Sequence, residues 1–157
     1  MYSRMYFIGQ SRGRAQAAKQ LEIRTPAGTI RPSGREKLLG CWIDENPKWS
    51  EHIRDNKENL VRSLTSRLGA MKKISRVASF KNRKMLANGI FMSKLSYLIA
   101  LWGGCGIILR RTLQIIQNKV ARAVTKLKWT TSPAVLLSQV GWLSVNQLIF
   151  YHSVLQI

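Results

Sequence analysis

No carboxylate occurs after Glu58. All seven acids (Glu22, Glu36, Asp44, Glu45, Glu51, Asp55, Glu58) precede residue 59, and fifteen of the 26 Lys and Arg residues follow it. A segment without internal anions cannot neutralise itself by salt bridges, so its countercharge is either solvent ions or a polyanion. With a formal net charge of +19, nucleic acid is the commonest such partner. A solvated basic surface, or a basic face on anionic lipid, is the competing reading. The apolar fraction of 45% argues against wholesale disorder. A chain of 157 residues holds one modest core, or a small sheet plus a helical subdomain.

The first third reads as short strands. Met5–Ile8 is an apolar run closed by Gly9, and residues 10–19 read as a polar connection. Leu21, Ile23 and Ile30 flank Thr25-Pro26-Ala27-Gly28, which has hairpin-turn chemistry. After Arg31-Pro32-Ser33-Gly34, Leu39, Cys41 and Ile43 alternate with Gly40, Trp42 and Asp44 as one more strand. Three or four such strands form an antiparallel sheet too small to stand alone.

From Trp49 the period becomes helical, with Ser50 as the expected N-cap. Ile53, Leu60, Leu64, Leu68 and Met71 share one face, and register breaks near Ser79. A second helix is expected over 81–101 with Met85, Leu86, Ile90, Leu95, Leu98 and Ile99 inward, ended by Gly103-Gly104. A third, over 109–128, buries Leu113, Ile116, Val120, Val124 and Leu127. Ser132-Pro133 starts a short helix, and Ser144-Val145-Asn146-Gln147 is a capping box opening the last one.

Four blocks carry a resemblance. Leu39-Gly40-Cys41-Trp42-Ile43-Asp44 with Trp49-Ser50-Glu51-His52-Ile53 is the first. Gly89-Ile90-Phe91 through Trp102-Gly103-Gly104 is the second. Leu113 through Gln117-Asn118-Lys119-Val120-Ala121-Arg122 is the third, and Gly141-Trp142-Leu143-Ser144-Val145 the fourth. Together they resemble the end of the palm and the thumb of non-LTR retrotransposon reverse transcriptases, in that family's order. The resemblance implies an α+β chain: an antiparallel sheet remnant over 1–48, then a mostly helical, thumb-like bundle over 49–157. It implies that Leu39, Gly40, Cys41 and Trp42 match the primer-gripping element.

The family's magnesium-dependent polymerisation needs clustered aspartates, including an adjacent pair. Here Asp44 and Asp55 are the only aspartates, and no Asp-Asp pair occurs. No catalytic triad, phosphate loop or metal-ligand spacing is present either, so the chain is expected to catalyse nothing alone and to hold no cofactor. Duplex gripping remains, through Lys72, Lys73 and Arg76, through Lys81, Arg83 and Lys84, and through Lys119, Arg122 and Lys126. The competing reading of each cluster is a solvated helix face.

Trp42, Trp49, Trp102, Trp129 and Trp142 are expected to pack at element ends rather than stack on bases. Cys41 and Cys105 are expected as buried apolar residues in a reducing, intracellular compartment. Besides nucleic acid, the half-sheet calls for a covering partner, either the missing palm and fingers or a second copy. A standalone basic binding or scaffolding module derived from such an element is the alternative. A membrane span over 89–109 is the weaker reading, because glycines interrupt an uncharged run shorter than the roughly 20 residues a span needs.

Overall fold

The computed structural model describes residues 22–26, 28–30, 35–44 and 49–155. The strand expected at Met5–Gly9, the connection after it and the Arg31–Gly34 segment lie outside the described residues. The described part is mostly helical, with two small antiparallel sheets.

β1 (Ile23–Thr25) pairs with β2 (Gly28–Ile30) in the register Ile23 to Ile30, as the Pro-Ala-Gly turn leads one to expect. The next segment differs from its expectation. Instead of one strand through Leu39 to Asp44, the chain forms a second hairpin, β3 (Arg35–Leu38) with β4 (Cys41–Asp44). Leu39 and Gly40 are its two-residue turn, with φ of 50° and 78°. Positive φ at both central positions is the turn whose twist suits a hairpin. The four strands therefore make two separate hairpins, not one sheet.

Trp49, with φ of 60°, makes the corner into the helices. Ser50 is already helical and caps nothing, contrary to its expected role. One π turn follows, α1 (Glu51–Asp55), and Asn59 is the cap of α2 (Leu60–Ile74), its Oδ1 accepting the Arg62 N–H at 2.7 Å. Leu60, Leu64, Leu68 and Met71 form the buried face of α2.

α3 (Phe80–Ala87) starts at the cap Ser79 and passes through a π turn, Asn88–Met92, into α4 (Ser93–Ser96). The long second helix then breaks. Tyr97 is extended and Leu98 left-handed before α5 (Ile99–Trp102) begins. The buried Trp102 indole donates to the Tyr97 carbonyl at 2.9 Å and so satisfies an acceptor that a continuing helix would have used. Ala87, Phe91 and Leu95 line the core here, while Met85, expected inward, is exposed.

α6 (Ile107–Thr125) is the central helix and packs against α2, α3, α7 (Pro133–Val140) and α8 (Val145–Val154). Leu109, Leu113, Ile116, Val120, Ala121 and Val124 bury its apolar face. The capping box at Ser144 is formed as its sequence predicts.

Three of the four sequence blocks meet in this core. Gln117, fully buried on α6, donates to the Leu143 carbonyl at 2.9 Å and accepts from Gln114, whose own Oε1 receives the Val145 N–H at 2.8 Å. The Trp142 indole bonds Asn88 Oδ1 at 2.8 Å and stacks near Phe91. At Gly103, α8 comes so close that an added Cβ would sit 2.7 Å from Ile149 Cγ2. These residues hold helices together.

The stretch over 89–109, whose one charged residue is Lys94, is divided among a π turn, α4, α5 and a glycine turn. Among the described residues no single helix is long and apolar enough to cross a membrane. The bent pair α7–α8 meets length and composition only, and Leu136, Leu137, Val140, Val145 and Leu148 of that pair are buried inside the fold.

Candidate nucleic-acid interface

Lys72 and Lys73 lie in the last turn of α2, Arg76 in the turn that follows, and Lys81 in the first turn of α3. All four are exposed. Lys119 is exposed on α6, and Lys126, also exposed, ends that helix in a left-handed conformation. These clusters are far apart in sequence, and one side chain joins them.

That side chain is Arg83. Its Nε donates to the Val124 carbonyl at 2.7 Å and its Nη1 to the Ala78 carbonyl at 2.5 Å. One guanidinium thus ties the α2–α3 turn to the C-terminal end of α6, with Lys72, Lys73, Arg76, Lys81 and Lys126 around a single corner. Arg83 is itself buried. Its expected role at the phosphate surface is corrected to that of a brace, because it is buried and two of its five N–H donors are held by backbone carbonyls.

Arg122 also differs from its expectation. It is half-buried, and its Nη2 donates to the carbonyls of Trp129 and Thr131, both at 3.2 Å, fixing the connection into α7. Lys84 is half-buried with its ammonium over Gly141, at the C-terminal end of α7, where a cation is favoured by the helix dipole. Among the described residues, six of the nine basic residues singled out by sequence are therefore free to meet an external anion: Lys72, Lys73, Arg76, Lys81, Lys119 and Lys126.

Trp129 stands apart from the other tryptophans. Trp102 and Trp142 are buried and Trp42 and Trp49 half-buried, but Trp129 is 83% exposed beside Lys126 and Lys128. The expectation that it packs is wrong. Arg122 holds its backbone while its indole faces solvent, the arrangement in which an aromatic can stack on a base amid cations. Its only sequence signal is the company of lysines and polar residues rather than apolar ones.

The outward stripe of α2 is basic too, with Arg62, Ser66, Gly69 and Lys73 in line at helical spacing and all exposed. It runs from the corner toward the β3–β4 hairpin. There, Leu39, Gly40, Cys41 and Trp42 do not share one surface. Leu39 is 73% exposed and Cys41 fully buried. Tyr97 Oη donates to the Leu39 carbonyl at 2.8 Å, and Lys37 Nζ lies 5.7 Å from the Trp42 ring centre.

Behind the hairpin, buried His52 accepts the Trp42 N–H at Nδ1, 3.4 Å away. Burial, with Lys94 nearby, pushes its pKa down to about 4. Burial raises the Cys41 thiol to about 11 and the Cys105 thiol in the same direction, so neither is a ready nucleophile. Among the described residues no three His, Cys, Asp or Glu side chains gather where a metal ion could sit. Asp55 and Glu58 are engaged separately, with Arg54 and Lys37.

No protein-family model, curated protein or solved structure matches this chain.

Proposed function

We propose that the chain is a piece of a non-LTR retrotransposon reverse transcriptase, the end of its palm and its thumb. It grips a nucleic-acid duplex by its phosphates and does not polymerise on its own. The observation that carries this reading is the basic corner, where exposed Lys72, Lys73, Arg76, Lys81 and Lys126 lie on the chain segments that Arg83 ties together, with no carboxylate from their own elements. The four sequence blocks support the family. Magnesium belongs to the complete enzyme in this reading; Asp55 and Glu58 of this chain are paired separately, with Arg54 and Lys37.

Phosphate gripping predicts affinity that is nearly blind to sequence and falls steeply with salt. The experiment is fluorescence anisotropy of a labelled RNA–DNA duplex across a salt series. Replacing Lys72, Lys73, Arg76 and Lys81 together by Gln should flatten the plot of log K against log salt by about 3.6, at about 0.9 for each of the four phosphates no longer neutralised. Binding that ignores salt, or no binding at low salt, overturns the proposal.

A further inference from the structure

A second basic feature lies at the other end of α2, and none of its cations belongs to the clusters that sequence singles out. It is a cleft of about 610 Å³ between the β3–β4 hairpin and the N-terminal half of α2. Four cations from four places in the chain line it: Lys37 on β3, Lys57 before α2, Arg62 in the first turn of α2 and Lys94 on α4. Its size is that of a small-ligand pocket.

Among the described residues these four cations have one anionic partner. Glu58 Oε2 lies 2.6 Å from Lys37 Nζ, while Lys57, Arg62 and Lys94 make no ion pair there. Glu58 is the last carboxylate of the chain and lines the same cleft. Its backbone is fixed, because its N–H donates to Asn56 Oδ1 at 3.1 Å and Asn59 next to it caps α2. Its side chain is exposed and so can leave Lys37 without unfolding anything.

A carboxylate on one of four converging cations leaves the rest uncompensated. A phosphate group offers acceptor oxygens in several directions and can meet more of them, with the Ser63 and Ser66 hydroxyls on the same wall as neutral donors. We propose that this cleft is a phosphate-binding site and that Glu58 is its built-in competitor, occupying Lys37 until a phosphate displaces it. For the natural source of that phosphate the inference rests on the nucleic-acid reading above, but its chemistry rests on the cleft alone.

The experiment compares Glu58→Gln with Asp55→Asn in the full chain. Both remove one negative charge, but Asp55 pairs with Arg54 and does not line the cleft. Two probes are used at about 0.15 M salt, where charges farther than about 8 Å are screened: inorganic pyrophosphate by calorimetry and the labelled RNA–DNA duplex by anisotropy. Glu58→Gln should tighten binding about fivefold, the worth of one charge about 4 Å away in water, and Asp55→Asn by less than about twofold. Lys94→Gln, checked for unchanged helix content, should weaken the same probe.

A gain with pyrophosphate identifies a free phosphate anion as a sufficient ligand, and a gain with duplex alone identifies the nucleic-acid backbone. Equal gains from the two acid replacements, or no gain from Glu58→Gln with either probe, overturn the proposal. If the duplex still binds with a steep salt dependence in that case, the reverse-transcriptase reading survives and only the cleft is lost. If pyrophosphate shows the Glu58 effect while the duplex never binds, the cleft stands and that reading falls.

Discussion

Acid should loosen the junction between the hairpin and the helices before it affects the rest of the fold. His52 is buried beneath β4 and accepts the Trp42 N–H through Nδ1, which requires the neutral ring. Its pKa is held down from 6.5 to about 4, first by burial and then by Lys94. As the pH falls through 6.5 the unfolded chain takes up a proton at this position and the folded chain does not. Stability is therefore complete above about 6.5 and is lost progressively down to about 4.

At 1.36 kcal/mol per pH unit, the difference amounts to up to about 3 kcal/mol, a large share of the stability of a domain this size. Asp55 and Glu58, whose pKa values are lowered by Arg54 and Lys37, lose their contributions at more acidic pH, below the upper part of this window. The assay is urea unfolding, at several pH values between 7 and 4.5, of the native chain and His52→Gln, whose amide oxygen can still accept from Trp42. The native chain should lose about 2 kcal/mol more than the variant over that range. Parallel pH profiles would falsify the assignment of the acid sensitivity to His52.

Three further outcomes are expected. Gln117→Ala should destabilise by about 1–3 kcal/mol in the same unfolding assay, because the Leu143 carbonyl and the Gln114 amide both lose a partner; a loss under about 0.5 kcal/mol contradicts a structural role for the network. Leu39→Asn should raise stability by about 1 kcal/mol, since the left-handed backbone is costly for leucine and suits asparagine at this turn position; no gain would mean the exposed leucine packs in solution. Trp129→Ala should leave the unfolding midpoint unchanged yet weaken binding to a duplex with a single-stranded overhang by about 1–3 kcal/mol, and equal binding by the two proteins excludes stacking.

Much of the helical fold was legible because it rests on apolar periodicity and caps. Leu60, Leu64, Leu68 and Met71 on α2, and Leu113, Ile116, Val120 and Val124 on α6, are buried at the spacing the sequence displays. Other features were misread for identifiable reasons. Alternation of apolar and polar residues is the same in one strand as across a tight hairpin, so Leu39-Gly40 was invisible as a turn until β3 and β4 paired. The break at Tyr97-Leu98 depends on a Trp102 hydrogen bond made by the fold, which no spacing rule contains. Arg83 carried a usable signal: it falls at helical spacing before Ala87, Phe91 and Leu95, the face that proved to be buried.

By itself the sequence determined the segregation of charge, the apolar faces of the main helices and the capping box, because these depend on the order of residue types along one element. Only the tertiary structure decided which cations are free. Burial of Arg83 and the bracing role of Arg122 remove two of them from the surface and draw distant lysines to one corner, and the approach of the hairpin to α2 sets Glu58 against Lys37. A side chain's availability depends on what its neighbours in space demand of it, and some of those neighbours, Val124 for Arg83 and Glu58 for Lys37, lie tens of residues away along the chain.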